Sequence, residues 1–323
     1  MVRGNVRILA HGDVDGVCSA ALVKSIYSKA HVDFAEPYQL VEELQGLSRW
    51  NTVVILDLGM NVTQGIEAKE AFREASRSCD IIYVDHHPFP PGITEGALGC
   101  KKVFHDKDAS TSELTWRFFR PSDSLDFVAL LGGIGDYQDN TPLMKKLLEK
   151  YTQRLSRLEE LLLEYALEAN RGNDVFKRKT VEALARGLWP SDVPNLMSGV
   201  RAALDWDRVI REHVEAKARR IGPKMALVDD VPFGFTSRGA SYAVELSNVE
   251  IGVGANRIGK NVRLSLRRAE RSKANLNILL RECTLSVGGA GGGHRAAAGA
   301  IVPVRKFDEF LKKLEELVSE LFK

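Results

Sequence analysis

A chain of 323 residues, 44% hydrophobic and 27% charged, has room for two domains and too much apolar content to remain disordered. Its net charge of +2 excludes a protein that binds polyanions by bulk charge, so any nucleic-acid surface must be local. The cysteines Cys18, Cys79, Cys100 and Cys283 have no C-x-x-C spacing, against a disulfide scaffold or zinc knuckle, and no apolar run approaches the ~20 residues of a membrane span; the expectation is a soluble, cytoplasmic protein with no membrane partner.

The first strand, Val6-Arg7-Ile8-Leu9-Ala10, runs into His11-Gly12-Asp13-Val14-Asp15-Gly16. Val17, Ala20, Ala21, Val23 and Tyr27 then follow near helical spacing, placing the acids at a strand-to-helix junction. A second strand, Val53 to Leu56, ends at Asp57, and a third, Ile81 to Val84, ends at Asp85-His86-His87. Short apolar strands alternating with helical patterns predict βαβ units and a mainly parallel sheet. Ser110-Thr111-Ser112-Glu113 reads as a capping box whose free backbone N–H groups face the same sheet edge. The apolar stretch Phe127 to Leu131 leads through Gly132, Gly133 and Gly135 to Asp136, expected at a tight glycine turn. From Leu147 to Ala169 the pattern is helical, with Leu155, Leu158, Leu162 and Tyr165 on one face, and more helix follows to about Arg220.

After Pro223, strands are expected around Met225 to Val228, Val249 to Val253 and Val262 to Leu266. Alternation places Arg263, Ser265 and Arg267 on one face, fit to grip a phosphate or base, within a basic run from Arg257 to Lys273 whose bland reading is a solvated face. The glycine-rich run Gly288 to Gly293 is expected to end at a helix start carrying His294 and Arg295, the form of a phosphate cradle. Glycine runs also occur for backbone reasons alone. A final amphipathic helix carries Phe307, Phe310, Leu311, Leu314, Leu317 and Leu321.

One Asp at a strand end is ordinarily a helix cap or turn residue. His11, Asp13, Asp15, Asp57, Asp85, His86, His87 and Asp136 are eight such residues at strand ends or turns. In an open α/β sheet those positions converge beyond the carboxyl ends of the strands, and so many carboxylates need a compensating cation. Oxygen and imidazole donors without thiolates suit Mn²⁺ or Mg²⁺ better than structural zinc, and an Asp between two ions can bridge them.

On these motifs the chain resembles the DHH–DHHA1 phosphoesterases, the superfamily of RecJ-like exonucleases, oligoribonuclease/pAp phosphatases and cyclic-dinucleotide phosphodiesterases. His11-Gly-Asp13-Val-Asp15-Gly16 matches H-x-D-x-D-G, Asp57 the second motif, Asp85-His86-His87 the third, Gly135-Asp136 the fourth. Ser265-Leu266-Arg267 and Gly291 to Gly299 match the C-terminal part. The resemblance implies an α/β fold: a parallel-sheet catalytic domain over 1–200, a helical connector over 201–222 and a smaller α/β substrate domain over 223–323. It implies two Mn²⁺ ions, with Mg²⁺ as the alternative. His11, Asp13 and Asp57 would hold one ion and Asp15, Asp57, His86 and Asp136 the other, with Asp57 bridging. Asp85 would orient His86, His87 would contact the scissile phosphate, and a bridging hydroxide would attack phosphorus. Ser265, Arg267, Gly292, Gly293, His294 and Arg295 would hold substrate.

The implied activity is metal-dependent phosphodiester hydrolysis. A single-strand exonuclease on DNA or RNA is the leading reading, since the basic segment exceeds what a mononucleotide needs. A small-nucleotide phosphodiesterase is the alternative. A non-catalytic replication or repair scaffold is disfavoured by the complete ligand set. The helical surface over 147–220 could dock a replication or repair protein, though core packing and solvated charge are its ordinary reading; an oligomer stays open.

Overall fold

The computed structural model describes residues 4–60 and 64–322. The chain divides into two compact units, the first ending at Ala203 and the second beginning at Leu204.

Unit 1 runs β1 (Val6–Ala10), α1 (Val14–Ile26), β2 (His31–Phe34), α2 (Leu40–Glu43), β3 (Thr52–Leu56), α3 (Gly65–Ala75), β4 (Asp80–Asp85), β5 (Lys102–His105), α4 (Thr111–Phe119), α5 (Asp126–Gly135), α6 (Pro142–Tyr151), α7 (Gln153–Ala169) and α8 (Asp174–Ala185). Its strands form one all-parallel sheet in the order β2-β1-β3-β4-β5. Such a sheet needs cover on both faces, hence the near-continuous apolar strands. Ile8, Ala10, Val54, Leu56, Ile82 and Val84 enter one core, together with residues of α1, α4, α5, α7 and α8. The alternate residues Leu9, Val53, Ile55, Ile81 and Tyr83 enter the other, against Leu40 of α2 and Phe72 of α3. Because β1 pairs with both β2 and β3, the crossovers diverge there and open a crevice at the carboxyl ends of β1 and β3.

The expected helix over 147–169 is two helices, α6 and α7, separated at Thr152, which has φ 65°. The expected face of α7 holds in part: Leu162 and Tyr165 pack against the core, but Leu155 and Leu158 are exposed, whereas Ser156, Glu159, Glu160, Leu163, Ala166 and Leu167 are buried. Glu159 can go inside because its carboxylate accepts from the backbone N–H and hydroxyl of Ser191.

The division between the units falls inside α9 (Leu196–Lys217). Unit 2 continues with β6 (Arg219–Ile221), β7 (Met225–Asp229), α10 (Thr236–Ser247), β8 (Ile251–Ile258), β9 (Asn261–Arg268), α11 (Leu276–Val287), β10 (Ala290–Gly293), β11 (Ala297–Pro303) and α12 (Phe307–Leu321). The strands form a mixed sheet, β10-β11-β9-β8-β7-β6, with only β7 and β8 parallel. Residues 219–221, expected in a helical connector, are the edge strand β6, and Ile210 and Val214 of α9 pack with Val228 and Ala243 in a core of this unit. On the opposite face α11 and α12 cover Val253, Leu264 and Leu266. α10 lies directly on β8. A Cβ at Gly254 would sit 2.0 Å from the Thr236 carbonyl oxygen, so only glycine permits that approach. Among the described residues no helix is long and apolar enough to cross a membrane.

Candidate metal centre

His11, Asp13, Asp57, Asp85 and His86 stand at or just beyond the carboxyl ends of β1, β3 and β4. Asp13 caps α1 by accepting from Gly16 N–H at 3.0 Å. Asp57 has φ 57°, a left-handed conformation that Asp tolerates better than bulkier residues. Asp15 accepts from Thr111 N–H and Ser112 N–H, both at 2.8 Å, so the N-terminus of α4 grips its carboxylate. Ser110 caps that helix through Glu113 N–H, but the reciprocal half of the expected capping box is replaced, because Glu113 accepts from Thr141 Oγ1. Asp136 is delivered differently from the expected tight turn. Gly132 to Gly135 are helical, and Asp136 is the C-terminal cap of α5. Glycine at 132 lets α5 close on the site, since a Cβ there would meet Ser112 Oγ at 2.2 Å and Asp15 Oδ1 at 2.7 Å.

Within unit 1, three groups of side chains place ligand atoms within 4.8 Å of one another: His11, Asp13 and Asp57; Asp15, His86 and Asp136; and Asp57, Asp85 and His87. Asp57 also lies between the first two groups, with Oδ2 3.5 Å from His11 Nδ1 and Oδ1 3.5 Å from His86 Nε2. Asp85 differs from expectation. Its Oδ1 is 2.9 Å from Nδ1 of His87, the neighbour of the expected His86, and its Oδ2 is 2.8 Å from the Tyr83 hydroxyl. The alternation of β4 sends Asp85 back to the same face as Tyr83.

The electrostatics are those of crowded acids. Burial, reinforced by the charges of Asp15 and Asp57, raises Asp136 to about 9. Burial and then Asp13 hold Asp57 well above the usual carboxylate range. Burial lifts Asp15 to about 6 against the opposing Ser112 and Thr111 hydrogen bonds. For the imidazoles burial works downward but loses: Asp85 raises His87 to about 10, and Asp13 holds His11 well above its ordinary value. Asp136 Oδ2 is buried and accepts no hydrogen bond, with His86 Nδ1 standing 3.4 Å away. A set of oxygen and imidazole donors in which the carboxylates repel one another, with a buried oxygen that accepts no hydrogen bond, fits hard divalent cations.

Several neighbours were not picked out from sequence. Thr111 donates its hydroxyl to Asp57 at 3.2 Å, and Glu36, just past the end of β2, has its carboxylate 3.6 Å from His11 Nε2. The strand-end rule that selected Asp57 applies equally to Glu36. Lys177 of α8 lies against Gly12, where a Cβ would sit 2.8 Å from Nζ, and nothing local in sequence signals it.

In unit 2, Ser265 and Arg267 lie on β9 facing α10, with the Ser265 hydroxyl 2.9 Å from Thr236 Oγ1 and Arg267 donating to Ser237 Oγ. The glycine run does not open a helix. Gly292 and Gly293 are on β10, paired with β11, and the exposed His294 and Arg295 form the turn of this hairpin. Register places Ala297 beside Arg267, so the turn and Arg267 share one end of the sheet. The repeated Ala and Gly of 290–300, compatible in sequence with a helix entry, here allow the strands and α11 to approach closely.

Profiles of known families match both units: the DHH family, N-terminal domain over residues 5–149, and the DHHA1 domain over residues 236–320. The chain belongs to the DHH–DHHA1 phosphoesterases. Members of this family are hydrolases acting on phosphodiester or phosphoanhydride bonds. A search of curated proteins finds no match. Among solved structures, the pGpG-specific phosphodiesterase PggH from Vibrio cholerae shares 15% identity, with TM-score 0.60 and coverage of 98% of this chain and 99% of that one. A DHH domain described as from a member of the s1p family of ribosomal proteins shares 14% identity, with TM-score 0.70 over 97% and 86%. RecJ from Thermus thermophilus, solved with Mn²⁺ and also with Mg²⁺, shares 16% identity in the Mn²⁺ complex, with TM-score 0.65 over 98% of this chain and 52% of RecJ. At these identities the likeness is one of fold, and this DHH–DHHA1 chain spans about half of RecJ.

Proposed function

We propose that this protein is a divalent-metal-dependent phosphodiesterase that shortens single-stranded nucleic acid or oligonucleotides from an end. The observation that carries the reading is Asp57, whose two oxygens address His11 on one side and His86 on the other. His11, Asp13 and Asp57 would hold one ion, and Asp15, Asp57, His86 and Asp136 the other. Bound Mn²⁺ or Mg²⁺ would supply Lewis acidity toward water and the phosphoryl oxygens. The chain's own residues do the positioning. The α4 N-terminus fixes Asp15, and Asp85 fixes the ring of His87, which we assign to the scissile phosphate. Ser265, Arg267, Gly292, Gly293, His294 and Arg295 would bind the substrate's phosphate and terminal nucleotide. A second reading, a small-nucleotide phosphodiesterase, is favoured by the end-to-end match in fold to a pGpG-specific enzyme. A purely structural role in replication or repair is disfavoured, because a scaffold gains nothing from mutually repelling buried acids.

The test is cleavage of 5′- and 3′-labelled DNA and RNA single strands, duplexes, dinucleotides, cyclic dinucleotides and pAp, with Mn²⁺, Mg²⁺, Ca²⁺ or chelator. Expected is end-directed release of nucleotides from single strands with Mn²⁺ outperforming Ca²⁺. Full activity after chelation would overturn the metal assignment, and cleavage confined to dinucleotides, cyclic dinucleotides or pAp would establish the second reading.

A further inference from the structure

Phe233 is a large apolar residue that unit 2 holds out into solvent, 56% exposed. It does so in an unfavourable conformation, φ 57° and ψ 8°, which is rare for a bulky side chain. Such outliers persist where the surroundings impose them and cluster at binding sites. Here the surroundings are an aromatic stack. The ring centroid of Phe233 is 5.5 Å from Trp206, tilted by 31°, and 6.5 Å from Phe235, edge to face, with Trp206 also 5.6 Å from Phe235. Phe235 is buried, and Pro232 and Val231 precede the exposed ring, so the loop is anchored on both sides. A residue that served only to fill the core would turn inward like Phe235.

Its neighbours are polar and cationic. Gly234 accepts from Arg263 at 3.4 Å, Thr236 meets Ser265 at 2.9 Å, and Ser237 accepts from Arg267. The loop carrying Phe233 is therefore sewn to the face of β9 that presents two guanidiniums and a hydroxyl. Guanidiniums and hydroxyls suit phosphate oxygens, whereas an exposed ring on a rigid backing suits the face of a nucleobase.

We propose that Phe233, backed by Trp206, is a stacking platform for the base of a nucleotide whose phosphate is held by Arg267 and Ser265. The assignment rests on the nucleotide-phosphodiesterase reading and deepens it. The recognised unit is a whole nucleoside phosphate, and any base is accepted because every base has a π face.

The test is calorimetric titration of the full chain with 5′-AMP and with ribose 5-phosphate, which lacks the base. The wild type should bind 5′-AMP the more tightly. Phe233→Ala and Phe233→Leu should weaken 5′-AMP binding about five- to hundredfold, the range of one base–aromatic stack. Both should leave ribose 5-phosphate binding unchanged and, because the ring is half exposed, lower the melting temperature only slightly through its lost contact with Trp206. Phe233→Tyr should restore 5′-AMP binding, because a ring is required and not merely apolar area. Unchanged 5′-AMP affinity in Phe233→Ala, or an equal loss for both ligands, would overturn the stacking role while leaving the phosphodiesterase reading intact. A wild type that binds neither ligand would overturn the platform, whereas the phosphodiesterase reading is decided by the cleavage assay.

Discussion

A single side chain carries most of the weight at the metal centre. Asp57 is buried, adopts φ 57°, and lies between two groups of ligand atoms. Burial and Asp13 raise its pKa well above the carboxylate range, so with no cation its charged form is penalised in the folded state and not in the unfolded one. Asn at this position keeps the shape and the left-handed backbone but removes the charge. Metal-free Asp57→Asn should therefore be more stable than metal-free wild type, by roughly 1–3 kcal/mol. The same change should lower the number of tightly bound ions and abolish turnover. Calorimetry in chelator and metal titration read the two effects separately; tight binding of two ions to Asp57→Asn would remove the bridging role. His87→Ala gives the contrast. Its ring is fixed by Asp85 and is not among the assigned ligands, so ion stoichiometry should persist while turnover falls about a hundredfold or more.

The elements that carry these residues were legible to different degrees. Strands β1, β3 and β4 announced themselves as apolar runs ending in acids, because a parallel strand covered on both faces has no polar alternation to confuse it. Half of the expected face of α7 holds, since Leu162 and Tyr165 pack on the core, but counting leucines presumes that acids stay outside, whereas Leu155 and Leu158 are exposed and Glu159, held by Ser191, and Glu160 are buried. The 288–300 segment departs from expectation for a related reason: small residues permit close approach of either a helix or a strand, and only pairing within the sheet decides it. The burial of Glu160 has a measurable consequence. Burial, then the charge of Glu164, raises its pKa from 4.5 to about 8. Between those values the unfolded chain releases the proton that the folded chain retains, so stability falls as pH rises through the window. Glu160→Gln abolishes this contribution. Its stability relative to wild type should grow between pH 5 and pH 8, by on the order of 1–3 kcal/mol, in denaturant titrations. A pH-independent difference would show that the carboxylate finds compensation.

At the scale of the whole molecule the modest net charge conceals a division of labour. Unit 2 carries 21 Lys and Arg against 15 Asp and Glu, a net +6, which leaves −4 for unit 1 within the total of +2. The acids that would bind cations and the bases that would bind phosphates are thus segregated into separate units, and each can be perturbed without the other. For polymer substrates this makes a quantitative claim. Each phosphate neutralised on a single strand contributes about 0.7 to the slope of log affinity against log salt concentration. A labelled ten-nucleotide single strand should show a steep slope in kcat/KM, and Arg263→Gln and Arg267→Gln should each flatten it by about 0.7, with unchanged metal stoichiometry. A dinucleotide presents fewer phosphates and should respond weakly to salt. Equal, shallow slopes for the two substrates would mean that one nucleotide's worth of contacts exhausts the basic face of β9. The small-nucleotide reading would then displace the exonuclease.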